Sequence, residues 1–164
     1  MYKALQLMIL LLFGLFFTVS CASPAPTPAP PVTNEELDAA VKEAHSTLGV
    51  LRQALLSQKS PYNFVGLKVR FRTQGGRIDD NWTEPIDYYD GIFTIKMLDS
   101  LTYNLNQHVD STLNVPLKDV VDWMLVESDG NLIGGYTIRL AYEHMTPAEK
   151  EKGLARSMKD WLNQ

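Results

Sequence analysis

Five carboxylates fall within twelve residues: Asp79, Asp80, Glu84, Asp87 and Asp90. Clustered carboxylates can bind a hard cation through oxygen, or divide into a general acid and a general base. The run lacks the Asp-x-Asp-x-Asp-Gly order of a calcium loop, and a solvated hairpin rim is the better account of it. Asp79, Asp80 and Asp87 are therefore kept as binding candidates, with no metal or catalytic role assigned. A second candidate is Asp122 (or Asp119) with Arg139, an acid and a base placed to pair across two strands. Such a pair is either a structural ion pair or a ligand clamp.

Three histidines remain, His45, His108 and His144, and no two share one element at metal-ligand spacing. His45 lies beside an apolar helical stripe and is expected to face solvent. The chain contains no G-x-S-x-G elbow, phosphate loop, dinucleotide fingerprint or H-E-x-x-H. No cofactor is expected. A formal net charge of −4 argues against a nucleic-acid partner.

The single cysteine, Cys21, excludes a disulfide framework and has its own setting. Lys3 is followed by an apolar run from Leu7 to Phe17, too short for a membrane span and the right length for a signal-peptide core. At its exit, Thr18-Val19-Ser20-Cys21 resembles a bacterial lipoprotein box, whose cysteine sulfur takes a diacylglycerol. The alternative is ordinary cleavage after Ala22, which would give a secreted or soluble periplasmic protein. In the lipoprotein analogy, Ala22 in place of Asp sorts the protein to the periplasmic side of the outer membrane of a Gram-negative host.

The elements around these residues follow from patterning. Residues 1–20 read as a lipoprotein signal and 21–33 as an acylated cysteine and tether. Five prolines between Ala22 and Thr33 favour extended polyproline II, not a core. Residues 34–164 read as one domain of 131 residues with net charge −5. Thr33 to Glu36 matches a capping box. Leu37, Val41, Ala44, Leu48, Leu51 and Leu55 then form one stripe on a helix of about six turns.

From Asn63 the period changes to two, with Leu67, Val69 and Phe71 inward and Lys68, Arg70 and Arg72 outward. The basic outer face is expected to be neutralised by the acids of the next hairpin. Asp90-Gly91 and Asp129-Gly130 suit two-residue type I′ turns. They predict hairpins over 86–98 and over 123–142, with a short strand at 112–115. Trp123 and Tyr136 supply large apolar area for one core. A two-residue second turn would place them opposite each other, and Gly134-Gly135 is read as a bulge or a close backbone approach, shifting that register by one.

Thr146-Pro147-Ala148-Glu149 starts a last helix, with Leu154, Met158, Trp161 and Leu162 on its apolar face. The expected fold is α+β: a mostly antiparallel sheet of five or six strands, with an N-terminal and a C-terminal helix packed against it.

Asp122-Trp123-Met124, a turn, and Gly134-Gly135-Tyr136-Thr137-Ile138-Arg139 resemble the signature of the YegJ-like family of bacterial proteins, domain of unknown function 2314. Phe64–Phe71, Trp82 and Met145–Glu149 extend the likeness over roughly residues 62–152. Asp80-Asn81 stand where that family has a histidine. The resemblance implies a small domain and no assigned activity.

The leading functional expectation is a lipid-anchored cell-envelope protein. Its partners would be the membrane, through the lipid, and an envelope protein or ligand bound by a non-catalytic domain. The alternatives are an envelope hydrolase using the acids at 79–90, and an inhibitor or immunity-type protein with a protruding loop at 99–111.

Overall fold

A computed structural model describes residues 30–57, 61–72, 75–98 and 110–152. Six antiparallel strands form one sheet in the order β4-β3-β2-β1-β5-β6. They are β1 (Tyr62–Arg72), β2 (Ile78–Tyr89), β3 (Ile92–Met97), β4 (Thr112–Pro116), β5 (Val120–Glu127) and β6 (Leu132–Gly134). Among the described residues four helices accompany them: α1 (Asn34–Ser46), α2 (Leu48–Leu56), α3 (Tyr136–Glu143) and a single turn, α4 (Pro147–Lys150). A 3-10 turn over Leu117–Asp119 carries the chain from the β4 edge back to β5. The α+β architecture expected from the sequence is the one observed.

The N-terminal stripe is divided between two helices. Thr33 caps α1 through a complete capping box with Glu36. At Thr47 the helix breaks: its hydroxyl donates to Glu43 O at 3.0 Å, offering the backbone an alternative to the regular ladder. The apolar stripe survives the break, because Ala44, Leu48, Leu51 and Ala54 all enter the core. They pack on Leu67, Val69, Phe93, Ile95, Met97, Val115, Val120, Trp123 and Leu125 of the sheet. Fully burying one side chain of this size contributes about 1.5–3 kcal/mol, so this single contiguous cluster dominates the fold's stability.

The first hairpin forms as patterned, but β2 begins eight residues before the expected Ile86. Asp90 and Gly91 both take positive φ, 45° and 79°, as a type I′ turn requires. The second hairpin differs in two ways. Its loop has three residues, 128–130, with Gly130 at φ 93° and Gly130 N–H donating to Glu127 O. This longer turn, not a bulge at Gly134, sets the register of Met124 against Gly134.

The strand expected over 131–142 is also much shorter, ending at Gly134 and giving way to α3. Gly134 and Gly135 stand at φ 75° and 68°, which turns the chain out of the ladder. The β-branched and aromatic residues Tyr136, Thr137 and Ile138 thus lie in a helix despite their strand preference. Thr146 caps α4 with the reciprocal Glu149 contact, as its motif predicts. The apolar face assigned to Leu154, Met158, Trp161 and Leu162 lies outside the described residues.

Candidate functional site

The most densely bonded polar group is Asp122, whose side chain is fully buried on β5 opposite Lys68 of β1. Its Oδ1 accepts from the backbone N–H groups of Trp123 (2.8 Å) and Tyr136 (3.2 Å). Its Oδ2 accepts from the N–H and the hydroxyl of Thr137, both at 2.7 Å. Gly135, the residue before α3, has no side chain with which to cap it. A carboxylate from the neighbouring strand therefore satisfies the free N–H groups of the first turn and faces the positive end of the helix. Burial pushes the Asp122 carboxyl up from its ordinary value, while the four donors pull the other way.

Thr137 completes this centre. Its hydroxyl donates to Asp122 and accepts from Lys68 Nζ at 3.3 Å. Lys68 Nζ also stands 5.8 Å from the centre of the Trp82 ring. A hydroxyl between a carboxylate and an ammonium has the elements of an activated nucleophile. Thr137 is 6% exposed, and the group joins β1, β5 and α3.

Arg139 does not pair with Asp122. Its Nε donates to Gly134 O at 3.0 Å and its Nη2 to Leu132 O at 2.6 Å. The helix carries Arg139 back toward β6, where it satisfies carbonyls at the end of that strand. Gly134 allows the approach on the other side. A Cβ there would lie 2.5 Å from Trp123 O, while Gly135 N–H donates to the same oxygen. The segment Asp122–Met124 with Gly134–Arg139 is thus one strand-to-helix clamp.

The acids at 79–90 do not converge. Asp80 receives a two-point contact from Arg70, at 2.9 and 2.8 Å, its register partner on β1. Glu84 pairs with Lys96 of β3 at 2.6 Å. Arg70–Asp80 is the expected neutralisation of the β1 basic face, whereas Glu84 pairs within its own hairpin and Lys68 turns to Thr137. Asp87 and Asp90 are exposed, and Asp87 accepts from the N–H of Tyr88. Asp79 lies on the opposite face of β2 from Asp80, with its Oδ2 buried and lacking a hydrogen-bond partner, as is Asn81 Nδ2. Among the described residues, no three His, Cys, Asp or Glu are grouped to hold a metal ion.

His45 is half-buried, not solvent-facing as expected, with Nε2 2.8 Å from Val120 O. The helix rotates it onto the start of β5, 75 residues away in sequence, a proximity no local pattern contains. His144 contacts Pro30 and Glu36, and sequence reasoning assigned it nothing. Thr137 and Lys68 were likewise missed as partners of Asp122. A Gly-Gly pair followed by Thr was the one available signal of a helix start. Cys21 and His108 lie outside the described residues.

A groove opens where the sheet splits. The β1–β2 ladder runs from Arg72 opposite Ile78 to Leu67 opposite Thr83. Beyond it β1 continues against β5, and β2 against β3. Pro85, which has no N–H, and the β2–β3 bulge beside it stand at the divergence. The opening, about 450 Å³, is lined by Asn63, Phe64, Val65, Glu84, Pro85 and the C-terminal end of α2. A second groove, about 350 Å³, lies between the end of β1 and the crossover from β4, with Arg70, Arg72 and Lys118 among its walls.

The fold and this clamp define a small antiparallel α+β domain, with α3 capped from the neighbouring strand β5. The chain belongs to the DUF2314 family of uncharacterised proteins conserved in bacteria, which matches residues 34–157. The match begins at the first residue of α1, well before Tyr62. No curated protein and no solved structure matches the chain.

Proposed function

We propose that this is a lipid-anchored protein of the bacterial cell envelope whose α+β domain binds a partner instead of transforming a substrate. The observation that carries the reading is Cys21, the only thiol, placed directly after an apolar run and directly before a proline-rich spacer. A single acyl chain binds a bilayer only marginally, so several chains on this residue would be needed for firm anchoring. The spacer, about 3.1 Å per residue when extended, would hold the domain off the lipid surface. Net charge −5 over residues 34–164 repels the domain mildly from anionic lipid and leaves its grooves open to a protein.

Two features support binding over turnover. The carboxylates of the acidic run are spread over both faces of β2, with two of them tied to Arg70 and Lys96. The split between β1 and β2 presents two strand edges with mixed polar and apolar walls. An extended segment of an envelope protein is the chemistry such edges accept.

The test has two arms. Cys21→Ser should abolish labelling by radioactive palmitate and shift the protein from the detergent to the aqueous phase. Retention of label would overturn the anchor. A photo-crosslinker at exposed Asn63, beside the split, should capture one envelope protein that the same crosslinker at exposed Lys42 does not. Equal capture at both positions, or none, would overturn binding at the split.

A further inference from the structure

The chain enters the domain through a contact that depends on a proton. His144 follows α3 directly, and both of its ring nitrogens face acceptors. Nδ1 is 2.9 Å from the backbone oxygen of Pro30, and Nε2 is 3.2 Å from Glu36 Oε1. A carbonyl and an ionised carboxylate can only accept. A neutral imidazole carries one N–H and satisfies one of them, whereas an imidazolium carries two and satisfies both. The other oxygen of Glu36 is already engaged, accepting from the N–H of Thr33 at 2.8 Å and from its hydroxyl at 2.9 Å. One carboxylate thus joins the histidine to the start of α1, while the histidine reaches past it to Pro30.

We propose that His144 is a proton-dependent latch. As imidazolium it fastens Pro30–Val32 to the body of the domain between α1 and α3; as imidazole it gives its one N–H to the charged acceptor, Glu36, and lets Pro30 go. The charged groups around it agree in sign. Glu36 on α1 and Glu143 on α3 both favour the imidazolium. Lys150 on α4 turns its amine to Glu143 O at 3.4 Å. The Pro30 carbonyl, then Glu36, hold the imidazole above its ordinary pKa against its partial desolvation. The side chain is 18% exposed, so the latch is open to protons from solvent.

Release frees three residues, Pro30–Val32, about 9 Å of extended chain, where the proline-rich segment meets the domain. The latch is independent of lipidation. Its effect on the distance between domain and bilayer rests on the anchored reading.

The experiment uses the full chain in detergent micelles with Cys21→Ser, so that a nitroxide on Val32→Cys is the only label. Val32 is 38% exposed and makes no core contact. Label mobility, read by electron paramagnetic resonance from about pH 5 to about pH 9, should rise in one step whose midpoint lies above the ordinary histidine value of about 6.5. His144→Gln should give a mobile label at every pH. Glu36→Gln keeps the capping-box pattern and should move the midpoint down. Far-UV circular dichroism establishes that each variant folds. Mobility that does not change with pH, or the same step persisting in His144→Gln, would overturn the latch. Because no arm depends on an acyl chain, loss of the anchor in the palmitate assay and loss of the latch are separate results.

Discussion

Trp123 Nε1 donates to the backbone oxygen of Ala44 at 2.8 Å, across 79 residues of sequence. The contact joins the buried strand β5 to the last turn of α1, next to the Thr47 break. The same indole meets the Tyr136 ring edge-on, with centroids 6.2 Å apart, and Tyr136 hydroxyl donates to Thr47 Oγ1 at 2.8 Å. One side chain thus ties the sheet to α1 directly and to α3 through Tyr136. Trp123→Phe keeps most of the apolar area and removes one donor to the Ala44 oxygen, which also accepts from Thr47 Oγ1 at 3.3 Å, so it should cost about 0.5–1.5 kcal/mol. Trp123→Ala should cost about 3–5 kcal/mol. Urea unfolding checks both, and no loss in Trp123→Phe would mean that the indole N–H contributes nothing.

Asp122 caps α3 from a neighbouring strand, so its removal should act on the helix and not only on β5. Asp122→Ala leaves three backbone N–H groups and a hydroxyl without their acceptor and should cost at least about 2 kcal/mol. Thr137→Val removes one of these bonds and should cost about 1 kcal/mol. Hydrogen exchange should show the amides of Tyr136 and Thr137 losing protection first in Asp122→Ala.

Two glycines should respond oppositely to alanine. At Gly134 the backbone is at φ 75° and the new Cβ would meet a carbonyl and the Trp123 ring, so Gly134→Ala should cost more than about 2 kcal/mol. At Gly49, on α2, nothing lies within 4 Å of the added carbon. Gly49→Ala should stabilise by about 0.5–1 kcal/mol. Thermal melts of the pair test whether local geometry sets the sign.

The Arg70–Asp80 contact is two-pointed but partly exposed, at 30% and 23% of the two side chains. Screening by solvent limits it. A double-mutant cycle through Arg70→Ala and Asp80→Ala should give a coupling of about 0.5–1 kcal/mol that shrinks in molar salt.

The latch has a pH signature in stability as well as in mobility. His144 is held above its ordinary pKa by Pro30 and Glu36, so its contribution is complete below about pH 6.5 and is lost as pH rises through the folded-state value. Glu36 is held below its ordinary value by Thr33 first and by His144 last. Its contribution is complete above about pH 4.5 and is lost as pH falls. The pair should therefore stabilise most between those limits, and His144→Gln should flatten the alkaline side of the profile in chemical denaturation.

The sequence by itself determined the class of fold. An apolar repeat near 3.6 at Ala44, Leu48 and Leu51, and a repeat of two at Leu67, Val69 and Phe71, can each bury a face in only one kind of element. Asp90-Gly91 fixed a turn because its positive φ angles are a local property. The clamp signature was visible as a motif, and Trp123 as core.

Tertiary structure decided the rest. Residues 136–143 carry strand-forming side chains, yet a carboxylate from β5 and two left-handed glycines make them a helix. The expected Asp122–Arg139 pair gave way because each group found closer backbone partners once α3 formed. His45 at Val120, His144 at Pro30 and Glu36, and the split beside Pro85 all depend on which elements the sheet brings together. These relationships join residues up to 114 positions apart, and local patterning carries no information about distance in space.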